Sequence, residues 1–202
     1  MGSRVIAELI LHLGRIASGD GLVEGLTPVQ WTVLKYFARA NRFSRTPSAF
    51  AAFHGTTRGT VSQANKNLIA QGYLRQTRSE TDGRSVRLDL TEKARAIIAN
   101  DPLEALVRAA DALPPGVRGH FSNILQRMLG HVAVETGKPL FGTCETCEHF
   151  ECDRCSEERL ALRTCRLFNE PLIEQNLDEL CINFTPAKPG QLRTAGVGAS
   201  SR

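Results

Sequence analysis

Apolar side chains spaced three and four residues apart predict that helices dominate the first two thirds of the chain. From Val5 to Ala17 they recur with the helical period, and Gly19 and Gly21 then end the helix. Other helices are marked by capping residues at their starts, as in the pair Thr46-Pro47. Together these signals predict helices at 5–17, 28–40, 47–53, 57–71, 92–100, 102–113 and 115–136.

A β-hairpin is predicted between the fourth and fifth of these helices. The stretches from Tyr73 to Arg78 and from Val86 to Leu90 alternate polar and apolar residues, as strands with one buried face do. The segment between them contains Gly83 and otherwise polar side chains, which is typical of a hairpin tip. The fold class is therefore mainly α with a small β-hairpin.

The fourth helix carries two faces of different character. Val61 and Leu68 belong to an apolar stripe that predicts burial, whereas Ser62, Gln63 and Lys66 point the other way. A helix with small polar residues outward can enter the DNA major groove and offer donors and acceptors to base edges. The sequence therefore predicts a nucleic-acid-reading surface on this helix.

The charge distribution supports a polyanionic partner for the same region. From Lys35 to Thr91 the chain holds ten Lys or Arg against three acidic residues. From Phe141 onward seven basic residues are outnumbered by ten acidic ones. A basic block of this kind favours nucleic acid, although a solvated basic face has the same composition.

Helix, short helix, turn, polar-faced helix and basic hairpin follow one another in the order of a winged helix-turn-helix. The first turn of the polar-faced helix can hold a phosphate, and an arginine at the hairpin tip can enter the minor groove. The residues predicted to contact DNA are Thr56, Thr57, Arg58, Ser62, Gln63, Lys66, Arg75, Arg78 and Arg84.

The region from Leu26 to Ile98 resembles the MarR family, the multiple-antibiotic-resistance regulators. The matching features are Thr57-x-x-Thr60-Val61-Ser62, Leu68 followed by Gly72-Tyr73-Leu74, Asp82-Gly83-Arg84, and Leu90-Thr91. The resemblance implies a homodimer whose first and last helices intertwine, bound to a pseudo-palindromic operator in double-stranded DNA. It also implies that Asp82 orients the wing and that Arg84 enters the minor groove. Gly83 departs from the family, which usually has a second basic residue there.

Six cysteines lie in the last third of the chain, and none precedes Cys144. They are spaced C-x2-C-x4-C-x2-C-x9-C-x15-C, which includes two C-x2-C pairs. Both sulfurs of such a pair can face one centre, as in zinc and iron–sulfur sites. In a reducing compartment such clusters indicate metal or redox chemistry before disulfides.

The ligand set has two alternatives. The pattern from Cys144 to Phe184 resembles small tetra-cysteine domains, including those with a four-iron cluster, and this resemblance implies the ligands Cys144, Cys147, Cys165 and Cys181. The rival is the compact set Cys144, Cys147, Cys152 and Cys155, whose central link is short for closing a four-thiolate shell. His149 is a weaker candidate. Spacing leaves zinc and an iron–sulfur cluster, possibly 4Fe-4S, as open alternatives, and six thiols beside a DNA-binding domain favour the cluster.

We therefore expect a winged helix domain with a helical dimerisation region at 1–140, a cysteine-rich metal module at 141–186 and a disordered tail at 187–202. The predicted function is a cytoplasmic DNA-binding regulator, a repressor, whose site modulates DNA binding from just after the dimerisation helix. The alternatives are structural zinc with a small-molecule effector, and a redox or metal-handling module that uses the winged helix for protein contact. No membrane span and no enzyme are expected, because long apolar runs and catalytic motifs are not apparent.

Overall fold

The computed structural model describes residues 2–18, 25–78, 86–152 and 163–187. The chain divides into two compact units. The first unit comprises Met1–Arg39 and Arg45–Lys138, and the second comprises Ala40–Ser44 and Pro139–Arg202. The second unit thus includes Ala40–Ser44 from within the predicted winged helix domain, which no local sequence signal indicated. Its longer part begins at Pro139, two residues before the predicted boundary. The predicted tail from 188 onward lies outside the described residues.

The first unit follows the predicted order of helices and hairpin. Its elements are α1 Ser3–Ser18, α2 Pro28–Arg39, α3 Pro47–His54, α4 Arg58–Ala70, β1 Leu74–Arg78, β2 Val86–Leu90, α5 Glu92–Ile98, α6 Leu103–Asp111 and α7 Pro115–Thr136. Strands β1 and β2 are antiparallel, with Leu74 opposite Leu90. The mainly helical class with one small hairpin in this unit is confirmed.

Capping residues determine where these helices begin and end. The hydroxyls of Thr46, Thr57 and Thr91 accept backbone hydrogen bonds at the starts of α3, α4 and α5. Gly72 follows α4 with φ 75°, a left-handed conformation that glycine adopts without strain. The Thr91 hydroxyl also donates to the Gly72 carbonyl at 2.7 Å. This hydrogen bond therefore connects the residue that follows β2 to the glycine at the end of α4.

The core of the first unit lies between α2, α3, α4 and the hairpin. Leu34, Phe50 and Leu68 are completely buried, and Val61 is almost so. One face of α4 therefore packs inward, as the apolar stripe predicted. The opposite face is left to solvent.

Helices α1 and α7 expose most of their apolar side chains. Each contributes a single buried residue, Ala17 in α1 and Ala133 in α7. Exposed apolar residues follow the helical period on both helices: Val5, Ile6, Leu9, Ile10, Leu13 and Ile16 on α1, and Val117, Phe121, Ile124, Met128, Leu129 and Val132 on α7. Within the described residues, two long apolar stripes therefore stay largely exposed to solvent.

The second unit contains a small antiparallel sheet that the sequence pattern did not predict. Its strands are β3 Phe150–Cys152, β4 Arg163–Cys165 and β5 Glu170–Pro171, in the order β3-β4-β5. A 3-10 turn, Cys144–Thr146, and a short helix, α8 Glu174–Leu177, complete the described elements. Strands of two or three residues are too short to show an alternating pattern. Among the described residues, no helix combines the length and apolar character needed to cross a membrane.

Candidate nucleic-acid interface and cysteine site

The outward face of α4 carries polar side chains that are open to solvent. Ser62, Gln63, Lys66 and Asn67 are all exposed. Gln63 Nε2 donates to Asn67 Oδ1 at 3.0 Å, so these two amides form one polar surface. Asn67 was missed by the sequence analysis, although it lies one helical turn after Gln63 on the same face.

Hydroxyl groups surround the start of α4. Thr57 Oγ1 accepts from the Thr60 backbone N–H at 3.3 Å and lies 3.0 Å from the Thr60 hydroxyl. Thr56 is half-buried, and its backbone N–H donates to the Ala51 carbonyl. The backbone of Arg58 begins the helix. The hydroxyls of Thr57 and Thr60 therefore lie at the start of α4, and their contact with a phosphate stays a prediction.

The described part of the hairpin presents Arg75 to solvent on β1. Arg75 lies opposite Asp89, and Arg78 lies opposite Val86. The predicted wing residues Asp82 and Arg84 lie outside the described residues. Their roles therefore stay predictions from the sequence.

Four cysteines of the second unit line one pocket: Cys144, Cys147, Cys165 and Cys181. Cys144 and Cys181 are buried, and all the described cysteines are free thiols. Cys152 lies on β3 and is not among the residues that line the pocket. Cys155 lies outside the described residues. The structure thus gathers the wider predicted set around one space.

Different elements bring these thiols together. The Cys147 backbone N–H donates to the Cys144 carbonyl at 3.0 Å, which closes the C-x2-C turn. Cys165 ends β4 opposite Phe150. Cys181 pairs with Gly142 through two backbone hydrogen bonds of 2.8 and 3.3 Å. Backbone pairing, and not the sequence spacing alone, therefore determines where the distant thiols lie.

Burial and mutual repulsion disfavour ionisation of the thiols. Burial raises the pKa of Cys144 to about 12, and negative charge on Cys181, Cys147 and Cys165 adds to the effect. Burial also raises the pKa of Cys147, whereas backbone N–H groups of Thr185 and His149 donate to its sulfur and oppose the rise. In the metal-free chain these two thiols are protonated, so a bound cation must displace their protons.

The pocket has mostly apolar walls. Phe43, Phe150 and Leu172 are among the residues that line it. Within the part of the chain that the structure describes, no group of three or more His, Cys, Asp or Glu side chains is arranged to hold a metal ion. The four thiols nevertheless line one common space.

Two pocket residues come from a distant part of the sequence. Asn41 and Phe43 line the space beside the thiols, and both were missed by the sequence analysis. About one hundred residues separate them from the first cysteine, so no local pattern could indicate them. His149 also lines the pocket, and its Nε2 lies 3.4 Å from Thr185 Oγ1. Its role as a weaker candidate ligand stays a prediction.

Residues 24–85 match the family model described as the MarR family. Among solved structures, a MarR transcriptional regulator from Methanosarcina mazei Go1 is 23% identical, with 64% of this chain and 96% of that chain covered and a TM-score of 0.47. FabT of Streptococcus pneumoniae in complex with DNA is 22% identical, covering 64% and 91%, with a TM-score of 0.45. The S. aureus MepR–DNA complex is 18% identical, covering 65% and 98%, with a TM-score of 0.46. Among curated proteins, none matches the sequence.

Gly142 gives a test of how the cysteine site is held together. A Cβ atom added there would lie 2.8–2.9 Å from three ring atoms of Phe184, so we expect Gly142→Ala to destabilise the Gly142–Cys181 pairing by about 1–3 kcal/mol. Hydrogen exchange at the Cys181 amide measures this loss. Gly116→Ala is the matched control, because a Cβ at Gly116 meets nothing within 4 Å. Equal exchange in Gly142→Ala and wild type would contradict the packing argument.

Proposed function

We propose that this chain is a homodimeric, sequence-specific DNA-binding transcriptional regulator, a repressor, whose DNA binding is modulated by an iron–sulfur cluster held by cysteines. The observation that carries the DNA-binding part is the exposed polar face of α4, inside the segment that matches the MarR family model. The four-thiol pocket supports the cluster.

The chemistry of α4 suits direct reading of base edges. Side-chain amides such as those of Gln63 and Asn67 can pair with adenine in the major groove, and hydroxyls such as that of Ser62 can pair with any base. Lys66 adds a positive charge on the same exposed face. A contact between Lys66 and a phosphate would position the protein on the duplex without distinguishing one base sequence from another. By the family resemblance, Arg84 adds a minor-groove contact from the hairpin tip.

The two exposed apolar stripes support the homodimer. Leu9 on α1 is 50% exposed and Val117 on α7 is 53% exposed, although both lie among other apolar residues at helical spacing. Faces of this length are normally covered by a partner, and a second copy supplies a matching pair. A dimer also presents two α4 helices, as a pseudo-palindromic operator requires.

We expect Phe121→Asp to shift the protein from dimer towards monomer, because it places a charge in the α7 stripe where Phe121 is 43% exposed in the isolated chain. Sedimentation equilibrium should give twice the 22.1 kDa chain mass for wild type and a lower mass for the variant. Asn123→Asp is the matched control, because it adds the same charge outside the stripe. A variant as dimeric as wild type would contradict the stripe as the interface.

We expect Gln63→Ala to change sequence preference, and Lys66→Ala to weaken binding to all DNA alike. Loss of a base contact costs about 1–3 kcal/mol at one position of the site, whereas loss of a phosphate contact lowers the salt dependence. Binding to duplexes selected from a random pool, measured over a range of salt concentrations, separates the two effects.

Arg95→Ala is the control for the loss of a charge, since Arg95 lies on α5, pairs with Glu92 and is not among the residues predicted to contact DNA. Equal losses on selected and random DNA for both α4 variants would show that the reading face is wrong. Wild-type protein that binds no duplex would instead favour a winged helix used for protein contact.

The number and setting of the thiols favour a cluster over a single zinc ion. Either group needs about four thiolate ligands, and four thiols line one pocket. Six cysteines beside the proposed DNA-binding domain favour a sensor, because iron–sulfur clusters respond to redox state. Donated backbone hydrogen bonds, as at Cys147, are also typical of sulfurs that ligate clusters.

The cluster supplies electron-transfer and oxygen-sensitive chemistry when it is bound. The residues of this chain hold it and limit its exposure, with four sulfurs as ligands and Phe43 and Phe150 in the pocket wall. Anaerobic purification followed by an absorbance spectrum and metal analysis tests the proposal. A brown protein with iron and sulfide supports it. A colourless protein that contains zinc supports the structural-zinc alternative.

Each of the substitutions Cys144→Ser, Cys147→Ser, Cys165→Ser and Cys181→Ser is expected to lower bound metal by at least about tenfold, because each removes one of four ligands. Cys152→Ser is the matched control and should retain metal, since Cys152 does not line the pocket. Iron, sulfide and zinc per chain are measured for all five variants and for Cys155→Ser. Loss of metal in the Cys152 and Cys155 variants, with retention in those of Cys165 and Cys181, would identify the compact set instead.

A further inference from the structure

Ala40–Ser44 lies between α2 and α3 along the chain but belongs to the second unit. Its backbone pairs with the region around the last cysteine of the pocket. Ala40 forms a parallel bridge with Leu180, and the Asn41 N–H donates to the Leu180 carbonyl at 2.9 Å. The segment is therefore part of the architecture that holds Cys181.

Side chains of the segment strengthen this attachment. Ser44 is completely buried, and its Oγ accepts from the Ile182 backbone N–H at 3.0 Å. The ring of Phe43 stacks on that of Phe168, with centroids 4.0 Å apart and planes within 8°. Hydrogen bonds to Leu180 and from Ile182 thus lie on both sides of Cys181 in the sequence.

Arg42 fixes the segment to the strand next to Cys165. Its Nη2 donates to the Pro171 carbonyl at 2.7 Å and to Glu170 Oε2 at 3.2 Å. Glu170 pairs with Cys165 in the sheet. The segment therefore contacts the neighbours of two proposed ligands, and Asn41 and Phe43 also line the thiol pocket itself.

We infer that occupancy of the four-cysteine pocket sets the conformation of Ala40–Ser44, and that DNA binding by α3 and α4 is coupled to the pocket through this segment. The inference rests on the proposed function. The chain enters α3 directly after the segment, at the cap residue Thr46. The coupling route is thus the connection before α3, in addition to the end of α7 that the sequence suggested.

The small core of the second unit explains why occupancy of the four-cysteine pocket would change the conformation of Ala40–Ser44. Among the described residues, its cluster of buried side chains consists of Cys144, Leu172 and Leu177, with Phe43, Phe150 and Cys165 packed against it. So small a core holds its structure weakly without a cross-link, and local opening then becomes easy. If the cross-link is lost, Leu180 and Ile182, which pair with Asn41 and Ser44, lose their fixed positions together.

Hydrogen exchange on the wild-type protein tests this directly. The protein is compared after anaerobic reconstitution with ferrous iron and sulfide and after stripping with a chelator. We expect the amides of Asn41 and Ser44 to exchange at least about tenfold faster in the stripped form, whereas the buried amides of Trp31 to Phe37 in α2 do not change. If exchange accelerates between Cys144 and Cys181 but not at Asn41 and Ser44, the inference is wrong.

Operator binding tests the functional consequence. On a duplex selected from a random pool by wild-type protein, we expect loaded and stripped forms to differ in affinity by at least about fivefold. In Ser44→Ala, which leaves the Ile182 N–H without its acceptor, this ratio should fall below about twofold while bound iron stays at the wild-type level. Arg166→Ala is the matched control and should keep the full ratio, because Arg166 pairs with Glu151 and not with the segment.

The outcomes distinguish this inference from the proposed function. Equal affinity of both wild-type forms for the duplex overturns the coupling but leaves DNA binding and the cluster intact. Absence of binding in both forms contradicts the DNA-binding proposal and with it the coupling to DNA, whereas the exchange result still decides whether the pocket sets the conformation of Ala40–Ser44. Failure to retain iron, sulfide or zinc overturns the site and the inference together. An unchanged ratio in Ser44→Ala overturns the role of the segment.

Discussion

The cysteine unit is constrained by four thiols that share one pocket and by an apolar core that, among the described residues, is too small to hold them there. Burial raises the pKa of Cys144, and negative charge on the neighbouring sulfurs raises it further. A bound metal ion or cluster offsets this repulsion, because all four sulfurs then ligate the same positively charged group. The strands around them are two or three residues long, so the backbone pairing contributes little stability by itself. The proposed cluster would therefore be the main cross-link of this unit.

The first unit separates two surfaces by their chemistry. The polar face of α4 offers hydrogen-bonding groups and a positive charge, whereas the stripes on α1 and α7 offer only apolar area. DNA and a second protein chain need these opposite properties, so the two proposed partners do not compete. The inward contacts of Val61 and Leu68 hold α4 in place, and its outward residues are then free to determine sequence preference.

Much of the first unit could be predicted because its signals are local. Thr46, Thr57 and Thr91 cap helices through hydrogen bonds to residues three positions ahead, and Gly72 ends one through its own backbone conformation. The pocket was predictable in part, since the spacing of cysteines indicates sulfur ligation. Asn41, Phe43 and Ser44 were not predictable, because their partners lie more than one hundred residues away in the sequence. Pairings of this kind depend on the whole fold and leave no periodic pattern.

The contact between Ser44 and Ile182 spans 138 positions of the chain, and this separation affects the order of folding during synthesis. A ribosome produces about 5–20 residues per second, so several seconds pass between the synthesis of Ser44 and that of Ile182. During that time the connection before α3 lacks its partners, although the helices around it already have theirs. The helices of the first unit can therefore form before this connection has its partners. Completion of the cysteine unit is then a late step, and for the proposed cluster site the supply of metal at that moment would decide which form the new protein first adopts.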